Sequence, residues 1–447
     1  MTRKIVIVGG GAAGSSAASF ARKTDRKAEI TLIDKHEKIG YSRCGLPFVI
    51  GKEIPNYEEL TVYGHGFFKM SNIDLMLETT VTRIEPKGKY ILTRDKNGTE
   101  STVEYDSLIL ATGAKVFSPP IPGIDKKGVL PLRTIEDGVL IEEKAKNSKS
   151  VVIIGAGLIG LEIAVALRER GLDVIIVELL PYILPLVLDK DMTRDVEKEL
   201  KDLGIEIITG AACDEILGTE EDEVVGVCIA GGETFQTDFV INATGVRANV
   251  DLAKDAGINI GRGIQVNEYM ETNIPSIYAV GDCVECKHLI TGDYVLSQLG
   301  TTATRQGMIA GRNAAGQHDI FPGVIMSSVT KIHDLEIGAT GLTKWAADRA
   351  NIDVVIGKMT GHTKPHYFPG GSTVKVKILA RKDDGRVIGA QIVAGEDVAH
   401  RVNMIATAIQ SNMTVNELAK VDTCYAPPNS DTLETVCLAA ELAANKL

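Results

Sequence analysis

The stretch Ile5-Val6-Ile7-Val8-Gly9-Gly10-Gly11-Ala12-Ala13-Gly14 decides the fold of this chain. Its four β-branched apolar residues predict a buried strand, and glycines follow at positions 9, 11 and 14. A helix of small residues is predicted through Ala21, and the second strand, 30–33, ends at Asp34. This order of strand, glycine turn, helix, strand and acid is the fingerprint of a dinucleotide-binding unit.

The same unit occurs a second time. The strand 151–154 leads into Gly155, Gly157 and Gly160, a helix is predicted to about Arg170, and the strand 174–177 ends at Glu178. In each copy the first glycine permits a tight turn, the second lets the backbone approach a pyrophosphate, and the third lets the helix pack on the strand. The start of the helix favours phosphates, and the acid accepts from ribose hydroxyls. Two complete units predict one bound flavin and one exchangeable nicotinamide.

Three later apolar strands, within 108–113, 240–245 and 277–282, predict the domain boundaries. The first two strands end in Ala-Thr-Gly, so the chain is predicted to leave its first domain near residue 112 and to return near 245. We predict an FAD-binding domain at 1–112 and 245–321, an NAD(P)H-binding domain at 113–244, and a C-terminal α+β domain at 322–447. In the last domain, strands are predicted within 324–337, 374–378 and 387–393, and helices at 397–412 and 430–446.

Composition points to a soluble globular protein of more than one domain. The chain has 447 residues, of which 44% are hydrophobic and 24% charged, and its net charge is −11. No basic footprint for nucleic acid, signal-peptide core or membrane-spanning apolar run is apparent, so we expect a cytoplasmic protein with no nucleic-acid or membrane partner. The seven cysteines are scattered, which favours reduced thiols over a secreted disulfide framework.

Four segments closely resemble the pyridine nucleotide-disulfide oxidoreductases that have one active-site cysteine. They are Ser42-Arg43-Cys44-Gly45-Leu46-Pro47-Phe48, Thr272 to Asp282, Leu299-Gly300-Thr301 and Tyr425-Ala426-Pro427-Pro428. That family includes coenzyme A-disulfide reductases, NADH oxidases and peroxidases, and NADH-dependent persulfide reductases. The resemblance covers essentially the whole chain. It implies an α/β fold of two Rossmann-like domains with a C-terminal α+β dimerisation domain, and therefore a homodimer with shared active sites.

The resemblance also implies tightly bound FAD and a set of cofactor contacts. Asp282 would bind the ribitol of FAD and Asp34 its ribose, with Arg133 as a further contact. The residues expected to contact the two cofactors are Gly9, Gly11, Ala12, Ala13, Gly14, Asp34, Lys35, Ser42, Val81, Ala111, Thr112, Gly113, Arg133, Gly155, Gly157, Leu158, Ile159, Gly160, Glu178, Gly245, Gly281, Asp282, Leu299, Thr302 and Ala303.

Cys44 is the predicted redox thiol. The family places this cysteine at the start of a helix beside the flavin, where a thiol pKa falls and the nucleophilic thiolate forms, and Arg43 favours the same state. The thiolate attacks a sulfur–sulfur bond and forms a mixed disulfide or a persulfide. No second cysteine follows within five residues, so the two-cysteine arrangement of glutathione reductase is not expected.

The departing thiolate needs a proton source, and two tyrosines are predicted to supply it. Coenzyme A-disulfide reductases have a Tyr-Tyr-Pro-Gly turn, which here reads Tyr367-Phe368-Pro369-Gly370, and a Tyr-Ala-Pro-Pro segment, here starting at Tyr425. The resemblance implies that both reach Cys44 of the partner subunit. We therefore predict Tyr367 and Tyr425 as catalytic residues, with His366 behind them.

Two departures from relatives bear on the substrate. NADH peroxidases of the family carry a histidine in the first glycine turn where this chain has Ala12, which favours sulfur–sulfur bonds over peroxide. Relatives that hold coenzyme A carry basic residues where this chain has Met70-Ser71-Asn72, so the acceptor stays open between coenzyme A disulfide, coenzyme A persulfide and other persulfides or polysulfides. The predicted substrate contacts are Ser16, Phe20, Lys23, Arg43 and Lys69.

Two further predictions concern specificity and the other cysteines. Glu178 is followed by Leu179-Leu180 and not by arginines, so NADH is expected to be preferred over NADPH. Cys283 and Cys286 have redox spacing, but ordinary helix positions are favoured over a second dithiol, and no metal site is predicted. Cys424, next to Tyr425, stays open as a resolving thiol.

The sequence leaves two other functions open. One is an NADH oxidase or peroxidase that uses the cysteine with oxygen or peroxide. The other is an electron-transfer flavoprotein that reduces a small redox protein such as a ferredoxin or rubredoxin, against which Cys44 and the two tyrosines argue.

Overall fold

The computed structural model describes residues 2–447 in two compact units. The first unit contains residues 2–46, 55–117 and 246–324, and the second contains residues 47–54, 118–245 and 325–447. None of the described helices combines the length and the apolar character that crossing a membrane requires.

A five-stranded parallel sheet forms the centre of the first unit. Its strands, in spatial order, are Ile277–Ala279, Ser107–Leu110, Lys4–Val8, Glu29–Ile33 and Ile73–Met76. All four strand pairs run parallel. The central strand is buried from Ile5 to Val8, which is why its sequence is a continuous apolar run.

Two helices of the first unit pack against each other unusually closely. The helix Ala12–Thr24 follows the first glycine turn, and the helix Gly300–Ala314 lies against it. A Cβ atom on Gly307 would stand 2.2 Å from the carbonyl oxygen of Ala13, and one on Gly311 would stand 2.3 Å from that of Ala17. Only glycine permits this approach, so the two glycines fix the distance between the helices.

The first unit contains further strands and helices outside this sheet. The antiparallel strands are Thr79–Glu85, Tyr90–Asp95 and Glu100–Glu104, and the smaller pairings are formed by Ala114–Val116, Val246–Ala248, Ile264–Gln265, Val284–Lys287 and Tyr294–Leu296. The other helices are His65–Met70 and Asp251–Asp255, with 3₁₀ turns at Arg43–Gly45, Tyr57–Leu60 and Gly281–Cys283.

The second unit contains its own five-stranded parallel sheet. Its strands, in spatial order, are Glu206–Thr209, Asp173–Glu178, Ser150–Ile154, Val240–Asn242 and Val129–Pro131. The helix Leu158–Glu169 follows the second glycine turn. Strand, turn, helix and strand therefore recur as the sequence predicts.

A five-stranded antiparallel sheet lies in the C-terminal part of the second unit. Its strands, in spatial order, are Ser328–Ile332, Leu335–Gly341, Val387–Ala394, Thr373–Arg381 and Val354–His362. The predicted α/β fold with a C-terminal α+β domain is confirmed. Two local corrections arise: the stretch 324–337 turns at His333 and so contains parts of two strands, and the strand Val354–His362 was not predicted.

The other elements of the second unit are mostly helices. They are Leu46–Ile50, which begins at the end of the first unit, and Ile135–Lys146, Arg194–Asp202, Lys344–Arg349, Val398–Gln410, Val415–Leu418 and Thr435–Ala444, with a 3₁₀ turn at Lys190–Met192. The strands Cys213–Gly218, Val224–Ile229 and Thr234–Gln236 form a small antiparallel sheet.

Candidate functional site

The first glycine turn has the shape of a phosphate cradle. A Cβ atom on Gly9, whose φ is +109°, would stand 2.2 Å from the carbonyl oxygen of Ala111, and one on Gly14 would stand 1.8 Å from that of Gly9. Packing within the protein therefore requires these two glycines. A Cβ atom on Gly11 would meet no protein atom within 4 Å. The middle glycine thus faces open space at the start of a helix, which is where a pyrophosphate fits.

Asp34 fixes this turn through hydrogen bonds. Its Oδ2 accepts from the Gly10 N–H at 2.6 Å, and its Oδ1 accepts from the His36 N–H at 2.8 Å and lies 2.9 Å from His36 Nδ1. Burial opposes ionisation of Asp34, but the hydrogen bonds from His36 and Gly10 outweigh burial and hold its pKa below the ordinary value. His36 was not predicted as part of the site.

The second glycine turn repeats this geometry in the second unit. A Cβ atom on Gly155 would stand 2.6 Å from the carbonyl oxygen of Ala243, one on Gly160 would stand 2.0 Å from that of Gly155, and one on Gly157 would meet open space. The middle glycine is again the one that packing within the protein does not require. This turn therefore also fits a dinucleotide.

Glu178 holds the second turn as Asp34 holds the first. It is buried, its Oε2 accepts from the Ala156 N–H at 2.7 Å, and its Oε1 accepts from the Leu180 N–H at 2.7 Å. Each oxygen keeps a further lone pair for a ribose hydroxyl.

Most of the predicted FAD contacts lie at one edge of the first unit's sheet. The glycine turn, Asp34, Ala111 to Gly113 and Gly281 all follow the carboxyl ends of its parallel strands. Ligands of open parallel sheets bind at this edge. Gly281, which precedes Asp282, donates its N–H to Gln306 Oε1 at 2.8 Å.

A second group of predicted contacts lies near the start of the helix Gly300–Ala314. The side-chain oxygens of Thr302 and Ser297 are 2.8 Å apart.

Three other predicted contacts lie elsewhere. Val81 lies in the strand Thr79–Glu85, and Lys35 is exposed. Arg133 belongs to the second unit, after the strand Val129–Pro131.

Cys44 lies in the 3₁₀ turn Arg43–Gly45, which runs directly into the helix Leu46–Ile50. Pro47 is tolerated because the first turn of a helix does not need its N–H group. The thiol is exposed and forms no disulfide. The guanidinium of Arg43 lies 5.9 Å from the ring centroid of Tyr41.

Three other cysteines are poorly suited to redox chemistry. Cys283 and Cys286 are buried, and burial raises the pKa of both thiols, that of Cys286 to about 12. Burial likewise raises the pKa of Cys213 to about 11. The expectation of helix positions for the first pair is wrong, because Cys283 ends a 3₁₀ turn and Cys286 lies in the strand Val284–Lys287. Thiols that stay protonated at neutral pH are weak nucleophiles.

The two predicted catalytic tyrosines meet within one chain. The hydroxyl oxygens of Tyr367 and Tyr425 are 2.6 Å apart, and both side chains are exposed, at 61% and 45%. The hydrogen bond to Tyr425 raises the pKa of Tyr367, so its hydroxyl keeps its proton at neutral pH. His366 touches the ring of Tyr367 edge-on, with 5.6 Å between ring centroids. We call Tyr367 and Tyr425 the tyrosine pair.

The predicted substrate contacts of the first unit have different surroundings. Ser16 is fully buried, and its hydroxyl donates to the carbonyl oxygen of Thr304, so it is not presented to a ligand. Lys23 Nζ lies 4.2 Å from the ring centroid of Phe20, and the guanidinium of Arg312 lies 4.9 Å from the same centroid.

Lys69 instead lines a cavity of about 740 Å³ in the first unit. Arg22, Arg26 and Lys27 also line it, with Glu29 and Asp74 as the acids. The guanidinium of Arg22 donates to the carbonyl oxygens of Ser71 and Asn72 at 2.8 and 2.7 Å, and so ties the helix Ala12–Thr24 to the turn before the next strand. The lining thus has a positive excess in a chain whose net charge is −11. This cavity suits an anion.

One group of side chains among the described residues has the spacing of metal ligands. It consists of Glu199, His333 and Asp334. His333 Nδ1 lies 2.6 Å from Glu199 Oε1 and 3.6 Å from Asp334 Oδ2. The hydrogen bond to Glu199 raises the pKa of His333, so an ion pair accounts for the arrangement.

Glu162 is a buried acid that the sequence did not single out. It lies in the helix Leu158–Glu169, and its Oε1 accepts a hydrogen bond from the hydroxyl of Thr330. Burial raises the pKa of Glu162 to about 7, although the Thr330 hydroxyl lowers it. The carboxyl therefore keeps its proton to a higher pH than an ordinary glutamate does.

The raised pKa of Glu162 predicts a pH-dependent loss of stability. Because its folded pKa lies above the unfolded value of 4.5, the cost is absent below about pH 4.5, grows as the pH rises, and is roughly 3 kcal/mol above pH 7. Glu162→Gln should therefore raise the melting temperature at pH 8 but not at pH 5. The control is Glu220→Gln, in an exposed turn. An equal gain for Glu162→Gln at both pH values would contradict the prediction.

Comparison with known proteins identifies the family. The family model "Pyridine nucleotide-disulphide oxidoreductase" matches residues 3–307, and the model of the corresponding dimerisation domain matches residues 327–437. The chain belongs to the pyridine nucleotide-disulphide oxidoreductases. It is an NAD(P)H-dependent flavin oxidoreductase, and the dimerisation domain indicates a homodimer.

Three relatives show how far the likeness extends. An NADH oxidase of Methanocaldococcus jannaschii is 45% identical over 448 residues, which is 99% of each chain. An NAD(P)H sulfur oxidoreductase (CoA-dependent) of Pyrococcus furiosus is 36% identical over 95% of this chain and 96% of that one. The structure of an NAD-dependent persulfide reductase from A. fulgidus matches with a TM-score of 0.96 and 37% identity, over 99% of this chain and 83% of that chain.

Proposed function

We propose that this oxidoreductase reduces a low-molecular-weight disulfide or persulfide through Cys44. The acceptor class is coenzyme A disulfide, coenzyme A persulfide or a polysulfide. The observation that carries the proposal is the exposed Cys44 thiol in the turn that enters the helix Leu46–Ile50. The sulfur-reducing relatives in Pyrococcus furiosus and A. fulgidus support it.

The reaction balances with one thiol. The Cys44 thiolate attacks one sulfur of the acceptor, a new sulfur–sulfur bond forms, and the old one breaks and releases a thiolate. The tyrosine pair of the partner subunit gives that thiolate a proton. Bound FAD would supply the two electrons, taken from NAD(P)H, that split the new sulfur–sulfur bond into the Cys44 thiolate and a second thiolate or hydrosulfide. Ala12 leaves the first glycine turn without an acid–base group for peroxide.

The two dinucleotide sites are assigned to the two glycine turns. We infer that the turn at Gly9, with Asp34 and Asp282, holds FAD, and that the turn at Gly155, with Glu178, holds the nicotinamide cofactor. The corresponding domains are 1–112 with 245–321, and 113–244, followed by the dimerisation domain at 322–447.

The cavity lined by Lys69 supports a phosphate-bearing acceptor. Its lysine and arginine side chains offer ammonium and guanidinium groups at the end of the helix Ala12–Thr24. Coenzyme A carries several negative charges on its phosphate groups. Inorganic polysulfide has no phosphate and is charged only at its terminal sulfur atoms. The cavity therefore favours the coenzyme A forms within the acceptor class.

Anaerobic NADH oxidation with a panel of acceptors tests the proposed function. The panel contains coenzyme A disulfide, coenzyme A persulfide, glutathione persulfide, polysulfide and peroxide. We expect a sulfur acceptor to exceed peroxide in kcat/KM, and Lys69→Gln to raise the KM for the coenzyme A forms only. The matched control is Lys198→Gln, because Lys198 pairs with Asp202 within the helix Arg194–Asp202 and does not line the cavity. Peroxide as the best acceptor would contradict the proposal.

An NADH oxidase is the second candidate, because the relative that is 45% identical carries that name. In that function oxygen, and not a sulfur compound, would accept the electrons. Oxygen consumption measured beside the anaerobic panel separates the two candidates. An oxygen kcat/KM above that of every sulfur acceptor would favour the oxidase.

We also propose that NADH is preferred over NADPH. Glu178 is buried, accepts two backbone hydrogen bonds, and would repel a 2′-phosphate while accepting from a free 2′-hydroxyl. We expect kcat/KM for NADH to exceed that for NADPH by about tenfold or more. Glu178→Gln, which removes the charge but keeps the length, should reduce that ratio. A higher kcat/KM for NADPH than for NADH in the unaltered enzyme would contradict the proposed NADH preference.

A further inference from the structure

Four charged side chains form a chain of alternating sign in the C-terminal part of the second unit. Lys364 Nζ donates to Glu396 Oε2 at 3.0 Å, and Arg401 donates to both oxygens of Glu434, at 2.7 and 3.2 Å. Arg401 also donates to the carbonyl oxygen of Asp397, the residue after Glu396, at 3.4 Å, and this contact joins the two pairs. Three of the four are mostly buried, and Glu396 is one-third exposed. We call Lys364, Glu396, Arg401 and Glu434 the ion-pair ladder.

One end of the ladder closes the turn that carries Tyr367. Lys364 Nζ also donates to the carbonyl oxygen of Gly370, at 3.2 Å, so it ties together both sides of the turn 364–371. The hydroxyl of Thr363, which is fully buried, donates to Glu396 Oε1 at 2.6 Å. Glu396 thus receives one donor on each oxygen and anchors the base of the turn.

The other end of the ladder fixes the point where the segment that carries Tyr425 enters the last helix. Glu434 precedes the helix Thr435–Ala444, and its side chain accepts from the Val436 N–H at the start of that helix. Arg401, on the helix Val398–Gln410, donates two hydrogen bonds to the Glu434 carboxylate, one to each oxygen. The ladder therefore connects the turn before one tyrosine with the segment after the other.

Within their own chain, the two tyrosines receive little packing. Tyr367 is 61% exposed and Tyr425 is 45% exposed, yet their hydroxyl oxygens are 2.6 Å apart. A contact between two exposed side chains on separate segments lasts only if the segments are fixed at their bases.

We propose that the ion-pair ladder positions the tyrosine pair, so that Glu396 and Arg401 are positioning residues for delivery of the proton to the departing thiolate. This inference rests on the proposed function. Charge-assisted hydrogen bonds are stronger than neutral ones and therefore hold a geometry better. In a partly buried network, removing one charge also leaves its partner uncompensated.

Glu396→Gln is the decisive variant, because it keeps the length of the side chain and an acceptor for Thr363 but removes the charge. In the holoenzyme we expect kcat with the best sulfur acceptor to fall about tenfold while the KM for NADH stays unchanged. Ionisation of Tyr367, followed by tyrosinate absorbance and assigned by comparison with Tyr367→Phe, should begin at lower pH. Lys364→Met should give the same two changes, and Asp348→Asn, which breaks the exposed Lys344 pair, should give neither.

A double-mutant comparison separates positioning from general loosening. In the Tyr367→Phe background Glu396→Gln should cost no further activity, because the group that it positions is already gone. An unchanged tyrosine titration, or the full additional loss in that background, would overturn the inference. If Tyr367→Phe alone leaves turnover intact, the proton role in the proposed function fails, while the titration still reports whether the ladder holds the pair.

Discussion

Cys44→Ser should abolish reduction of every sulfur acceptor, with a loss of at least about 10³-fold in kcat/KM. A serine hydroxyl does not ionise at neutral pH and does not attack a sulfur–sulfur bond. Reduction of an artificial dye by NADH should survive, since the residues of the two glycine turns are untouched. Because Cys44 is exposed, the fold should also survive.

Two other cysteine variants help to interpret this loss: one is a control, and the other tests for a resolving thiol. Cys213→Ser removes a thiol whose pKa is raised to about 11, and it should leave sulfur turnover unchanged. Cys424→Ser removes an exposed thiol beside Tyr425 and tests whether a resolving thiol takes part. Unchanged turnover of the physiological acceptor in Cys44→Ser would refute the thiol mechanism and favour direct electron transfer from the flavin to a small redox protein.

Replacing both members of the tyrosine pair by phenylalanine should lower kcat for sulfur acceptors by about 10²-fold. The hydroxyls share one hydrogen bond, so they act as a unit, and either single replacement should cost nearly as much as the double one. The effect should be smallest for acceptors whose leaving thiol is most acidic, because such a thiolate needs no proton.

The matched control for the pair is Tyr294→Phe, since Tyr294 is 54% exposed and lies in the first unit. Its turnover should equal that of the unaltered enzyme. Strictly additive single effects at the pair would show two independent tyrosines, and no effect at all would remove them from the reaction.

Much of the fold was predictable because local pattern and tertiary role coincide. The runs at Ile5 and Val151 are buried strands in both the prediction and the structure, and each glycine of the two turns has a steric or ligand-related reason that sequence spacing expresses. The C-terminal domain was harder. Its strand Val354–His362 was missed. Buried and less buried residues alternate along the strand, but no glycine or proline directly before or after it marks a turn.

The candidate site was predictable only where chemistry is local. The sequence proposes Cys44, Asp34 and Glu178 because local motifs surround them. Glu162 could not be found, because its raised pKa arises from burial against a distant strand that contains Thr330. Ser16 stays a prediction as a substrate contact, although close packing against the helix Gly300–Ala314 buries its hydroxyl, which the sequence did not indicate.

The role of Cys44 is tested most directly by the mass of the Cys44 peptide after holoenzyme with oxidised flavin and reduced Cys44 is mixed with one equivalent of coenzyme A persulfide without NADH. We expect one added sulfur atom, or a coenzyme A mixed disulfide, on Cys44 alone, and its loss when NADH is added. An unmodified Cys44 peptide in an enzyme that still reduces the persulfide would refute the thiol mechanism.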